Sequence, residues 1–151
     1  MRRAFSVRRA EMVSETAVID RVVLDAEERH RRRIVLTGER GTQFLLDLPQ
    51  ATVLRDGDGL VLDDGSIVRV AGKPEPLVEV AATTAHELAR LAWHIGNRHT
   101  ELQVVGESLR IRRDPVLEEM LRGLGARITP LEACFEPEQG AYAHRQHRHD
   151  A

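Results

Sequence analysis

Apolar positions come in short runs through the first half of the chain and then switch to a helical spacing. Val22-Val23-Leu24, Ile34-Val35-Leu36, Phe44-Leu45-Leu46, Thr52-Val53-Leu54, Leu60-Val61-Leu62 and Ile67-Val68-Arg69-Val70 are separated by stretches rich in Gly, Asp or Pro. Short β-branched runs between such turn residues predict strands. Gly38-Glu39-Arg40-Gly41 joins the second run to the third as a hairpin. Pro49 is expected to end the third run. Residues 1–73 therefore predict a small all-β barrel or sandwich. Asp56-Gly57-Asp58-Gly59 lacks the further ligands and the distal Glu of a calcium loop, so it is a turn. Ala71-Gly72-Lys73-Pro74-Glu75-Pro76 predicts an interdomain linker stiffened by its prolines.

Residues 77–135 read differently. Leu77–Ala82 predicts a strand. Thr84 then supplies an N-cap, and Glu87, three residues on, suits a capping box. At about 100° per residue, Ala85, Leu88, Leu91, Ala92 and Ile95 share one face of the helix that follows. His86, Glu87, Arg90, Trp93 and His94 fall on the other, and a tryptophan there implies a face that meets something. Gly96-Asn97 is expected to stop the helix near Ile95 and leave His99 projecting just beyond it. Leu102–Val105 and Leu109–Arg112 make a hairpin across Gly106-Glu107-Ser108. Asp114 and Pro115 open a second helix, with Val116, Leu117, Met120, Leu121 and Leu124 as its apolar stripe. A last strand runs from Ala126 toward Phe135. The order βαββαβ is ferredoxin-like, so the fold class is α+β. From Glu136 almost nothing apolar remains, and residues 136–151 predict a disordered tail carrying His144, His147 and His149.

Composition narrows the functions open to such a chain. Lys+Arg is 22 and Asp+Glu 24, for a net charge of −2, so no overall basic character points to nucleic acid. The local runs Arg2-Arg3 and Arg8-Arg9 suit a flexible arm, and His30-Arg31-Arg32-Arg33 suits the exposed face of a strand. Phe 3, Trp 1 and Tyr 1 are too few aromatics for a base-stacking platform. A single cysteine, Cys134, excludes an intrachain disulfide, and its apolar neighbours suit a buried or half-buried thiol. No apolar run approaches the roughly 20 residues that span a bilayer, which leaves a cytoplasmic protein as the expectation.

Histidine is the remaining chemistry. Neutral imidazole suits nickel, copper, zinc and iron. The tract His144-Arg-Gln-His147-Arg-His149 is either a metal-capturing tail or a merely solvated one. His99 either caps helix carbonyls or serves as a ligand. One imidazole holds a metal weakly, but two copies across a two-fold axis hold it well. His30, His86 and His94 suit surface roles. There is no zincin, nucleophile-elbow, P-loop or Rossmann pattern, so no enzyme is expected.

The stretch Leu91-Ala92-Trp93-His94-Ile95-Gly96-Asn97-Arg98-His99, followed by a hairpin and Asp114-Pro-Val-Leu-Glu-Glu-Met-Leu121, resembles the UreE family of urease accessory proteins. The resemblance covers the β module, the proline linker, the ferredoxin-like domain and the histidine tail. It implies a cytoplasmic homodimeric nickel metallochaperone. Residues 1–73 would bind a peptide or partner, and residues 77–135 would bind metal and dimerise. His99 would be the interfacial Ni(II) ligand, with His144, His147 and His149 adding donors that also accept Zn(II) or Cu(II). The implied partners are the urease accessory GTPase UreG and the assembly of urease with UreD and UreF. Arg112-Arg113-Asp114-Pro115 stands where some members carry extra histidines, so a second site there is not expected. The rival readings are an adaptor whose histidines are incidental and a small metal-dependent hydrolase.

Overall fold

A computed structural model describes residues 1–140. They fall into two compact units, Met1–Lys73 and Pro74–Gln139.

The first unit is all-β. Its strands are β1 (Arg2–Arg8), β2 (Val18–Leu24), β3 (His30–Thr37), β4 (Gln43–Val53), β5 (Gly59–Leu62) and β6 (Ile67–Gly72). They form one curled six-stranded sheet in the order β2-β6-β5-β1-β4-β3. Period-two burial drives the curl: Phe44, Leu46 and Leu48 of β4 and Val22 and Leu24 of β2 all enter one core. The two edges of the sheet are tied by Asp20 on β2. Its carboxylate accepts from the N–H groups of Arg40 (2.9 Å) and Thr42 (3.0 Å) in the β3–β4 turn, and from Arg21 (2.7 Å). Burial raises its pKa, but the N–H donors outweigh that and hold it at about 2. Gly38 must be glycine here, because a Cβ would stand 2.2 Å from Asp20 Oδ2.

Three expectations are corrected in and beside this unit. Arg2–Arg8 is no flexible arm. It is the interior strand β1, parallel to β4 and antiparallel to β5. Only Ala4 is fully buried there, so the strand carries almost no hydrophobic pattern; Arg2 pairs with Asp64 at 3.2 Å and Arg3 with Asp47 at 3.9 Å. Pro49 does not end its strand. β4 runs through it because the β3–β4 register shifts between Arg31 and Arg33, and a bulged ladder tolerates a missing N–H. The expected linker is nearly all strand. Lys73 alone lies between β6 and β7 (Pro74–Ala81). Pro74 and Pro76 sit at the start of β7, where β10 (Arg127–Cys134) pairs with it but β9 (Ser108–Arg112) does not yet.

The second unit runs β7, α1 (Ala85–Asn97), β8 (Gln103–Val105), β9, α2 (Pro115–Gly123) and β10, the expected βαββαβ order. The sheet order is β10-β7-β9-β8, antiparallel throughout. Val78, Val80, Leu109 and Ile111 share one core with Leu91 and Ile95 of α1 and Leu117 and Leu121 of α2, so both helices lie on one face. Val116 and Leu124 were expected in that stripe but are exposed, at 70% and 42%. A nine-residue helix needs only a narrow contact stripe, and Leu117 and Leu121 fill it. Inward Leu109 and Ile111 leave Arg110 and Arg112 on the opposite face.

Candidate metal centre

Helix α1 is started and seated by local chemistry. Thr84 Oγ1 accepts from the Glu87 N–H at 3.1 Å, and Leu91 and Ile95 are buried on the sheet. Its end lies beyond the expected Gly-Asn stop, because Gly96 and Asn97 are still helical and Arg98 is the C-cap. The His99 N–H donates to the Gly96 carbonyl (3.0 Å) and the Thr100 N–H to the Ile95 carbonyl (3.4 Å). This pair of bonds is a Schellman motif, whose closing residue must be left-handed. That residue is His99, with φ +59°, the one non-glycine with positive φ among the described residues. Histidine tolerates this region better than most side chains, at a cost of about 1 kcal/mol.

His99 is exposed and therefore open to a ligand. Among the described residues, no three His, Cys, Asp or Glu side chains gather as a metal site. His94 is half-buried, edge-on to the Trp93 ring with centroids 5.0 Å apart. It lines a shallow groove with Glu87, Arg90, Leu91 and Leu124. Trp93 is 63% exposed, as its helix face predicts. His86 is exposed on α1, and His30 is exposed on β3 in the other unit. His144, His147 and His149 lie outside the described residues.

The chain just before those histidines was not legible as structure. The Glu136 N–H donates to Gln103 Oε1 at 3.1 Å, and the Glu138 N–H to the Leu102 carbonyl at 2.7 Å. The Val104 N–H donates to Glu138 Oε1 at 3.3 Å. Phe135 is fully buried, with the Arg112 guanidinium 4.7 Å above its ring. The expected tail is thus hydrogen-bonded at its base to Leu102 and to the start of β8. Nothing in the polar string from Glu136 onward signals this, because every partner is distant in sequence.

Residues 7–72 match the family described as UreE urease accessory protein, N-terminal domain, and residues 75–151 match UreE urease accessory protein, C-terminal domain. The urease accessory protein UreE of Bradyrhizobium sp. (strain ORS 278) is 56% identical over 133 residues, covering 88% of this chain and 63% of that protein. Its namesake in Rhodopseudomonas palustris (strain BisB18) is 54% identical over 143 residues, covering 95% and 67%. That of Chelativorans sp. (strain BNC1) is 47% identical over 141 residues, covering 91% and 88%. The chain therefore spans just under two thirds of the Bradyrhizobium protein and most of the Chelativorans one.

Proposed function

The chain belongs to the UreE family of urease accessory proteins, and from that premise we propose that it is a nickel carrier serving urease maturation and not itself an enzyme. The single observation that supports this most is His99: an exposed imidazole on the left-handed residue that closes α1, a place where glycine is cheaper. Two copies of the chain bring two such imidazoles to one two-fold axis and share one Ni(II) between them. His144, His147 and His149 add donors from the tail. The metal is cargo, so an accessible and incomplete ligand set suits release better than a closed cage. The same imidazoles accept Zn(II) or Cu(II), and copper binds at least as tightly as nickel in vitro. Delivery runs in the cytoplasm, through the accessory GTPase UreG to urease with UreD and UreF. The first unit supplies a partner-binding surface.

Calorimetric titration with nickel, with mass in solution measured alongside, tests this. The intact chain should be a dimer with a tightest site of one nickel per dimer. His99→Ala should lose that site, at least about a hundredfold in affinity, and remain a dimer. A His99→Ala protein that binds nickel like the parent would leave an adaptor with incidental histidines as the better reading.

A further inference from the structure

His99 lies in the second unit, and the first has a charged surface of its own. β3 is an edge of its sheet, bonded to β4 alone among the described strands. Closure toward β2 is made only at the turn after β3, where the Glu39 N–H donates to the Arg21 carbonyl at 2.9 Å. Ile34 and Leu36 turn toward the core, so by alternation Arg31, Arg33 and Val35 form a row on the opposite face. Arg31, Arg32 and Arg33 are all exposed. Among the described residues none of the three has an ion pair, whereas Arg2 has Asp64, Arg9 has Asp58 and Arg21 has Glu39. Asp47 stands opposite Arg33 in the ladder, but the guanidinium it pairs with is that of Arg3, at 3.9 Å. Apolar surface continues the row. Val35 is 49% exposed and stands opposite Leu45 of β4. Phe5 of β1 is 48% exposed. Ala4 opposes Leu62 and Ser6 opposes Val61, so Phe5 is the extra residue of a bulge. Ala4 is buried, which turns Phe5 outward onto the face of Val35 and Leu45.

We propose that this face takes an acidic, extended segment of a partner protein as an added strand on β3. The proposal deepens the partner-binding role given to the first unit above and rests on it. Three features select the occupant. The free edge of β3 offers backbone N–H and C=O groups, which another extended backbone matches. Guanidiniums without an ion pair call for carboxylates. Val35, Leu45 and Phe5 call for an apolar side chain, and one exposed phenylalanine is no stacking platform for nucleic acid. Side chains of a strand return to the same face at every second position. The matching segment therefore carries carboxylates two residues apart, then an apolar residue two further on, to meet Arg31, Arg33 and Val35. The same arginines repel a second copy of β3, so the edge resists self-association while it stays open to an acidic strand.

The test is fluorescence anisotropy of the full chain with a labelled peptide, Glu-Thr-Glu-Thr-Val-Thr-Glu-Thr-Glu, which reads alike in both directions. The parent should bind it, and more weakly as salt rises. Arg31→Glu combined with Arg33→Glu should weaken binding at least about tenfold. Arg127→Glu, a reversal at an exposed residue of β10, should leave it within about twofold. Serine in place of the peptide's valine should weaken binding to the parent about three- to tenfold, and Val35→Ser should erase that difference. Unfolding midpoints should be alike, because every substituted residue is exposed. A parent that ignores the peptide overturns the proposal. If the parent binds it and the Arg31/Arg33 reversal does not matter, or Arg127→Glu weakens it as much, this surface is overturned and the partner-binding role of the first unit stands. If single-stranded RNA of equal charge binds the parent more tightly than the peptide, and the reversal abolishes it, the occupant is nucleic acid and the proposal is overturned. Nickel titration of the reversed protein should match the parent, so the carrier reading stands or falls on His99→Ala alone.

Discussion

The two helices of the second unit end in the same backbone motif and fill its critical place differently. At the end of α2, the Gly125 N–H donates to the Arg122 carbonyl (3.0 Å) and the Ala126 N–H to the Leu121 carbonyl (3.0 Å), with Gly125 at φ +94°. At the end of α1, His99 and Thr100 make the corresponding bonds to Gly96 and Ile95, with His99 at φ +59°. Glycine at such a site is the low-energy choice, and a Cβ at Gly125 would meet nothing within 4 Å, so only the backbone selects it. At α1 the chain keeps an imidazole where glycine would be more stable. Strain of this kind persists where the side chain has work to do. The contrast separates a helix end closed by glycine from one closed by an exposed imidazole, which the proposed function takes as a ligand.

The largest effects should come from what both ends share. Ile95 and Leu121 are fully buried and supply the carbonyls that accept the last bond of each motif. Ile95→Ala and Leu121→Ala should each cost about 3 kcal/mol in urea unfolding. Ile95→Ala should also weaken nickel binding measured well below the unfolding transition, whereas Leu121→Ala should not. Equal losses of nickel affinity would erase the contrast.

Acid should separate the helices next. Buried Glu118 in α2 accepts from Arg113 Nη2 at 3.1 Å and from the Asp114 N–H at 2.8 Å. Burial raises its pKa, but Arg113 and the Asp114 N–H outweigh this and lower it from 4.5. A carboxylate with a lowered folded-state pKa lends stability that is full above its unfolded value and is lost as pH falls through the folded one. Below about pH 4.5, α2 amides should therefore lose hydrogen-exchange protection before α1 amides do. Glu118→Gln should remove that pH dependence.

Smaller effects belong to the left-handed residues themselves. Gly125→His should destabilise by about 1 kcal/mol and create no nickel site. His99→Gly should raise the metal-free unfolding free energy by about 0.5 to 1 kcal/mol.

Much of this unit was readable in the sequence. Thr84, Glu87 and the spacing of Leu88, Leu91 and Ile95 announce α1, because caps and periodicity are local. The position of its end was misread by two residues. Gly96-Asn97 resembles a stop, but the sheet holds Ile95 and the helix continues until His99 turns left-handed. The histidine motif singles out His99, but its left-handed conformation leaves no mark in the sequence. In the first unit, β1 was hidden because only Ala4 is fully buried, and Arg2, Arg3 and Arg8 flank the short stretch Phe5-Ser6-Val7. The fastening of Glu136 and Glu138 was hidden for a related reason. It consists of single hydrogen bonds to residues some 30 positions away, and such pairs leave no periodic trace.

The most direct measurement is the count of nickel bound per dimer by His99→Gly at equilibrium dialysis, alongside the parent. This substitution gives α1 the ending that α2 already has, so the fold is relieved while the ligand is removed. A carrier centred on His99 should yield a dimer at least as stable as the parent that no longer holds its tight nickel. A His99→Gly dimer that retains one tight nickel would contradict it and place the metal elsewhere.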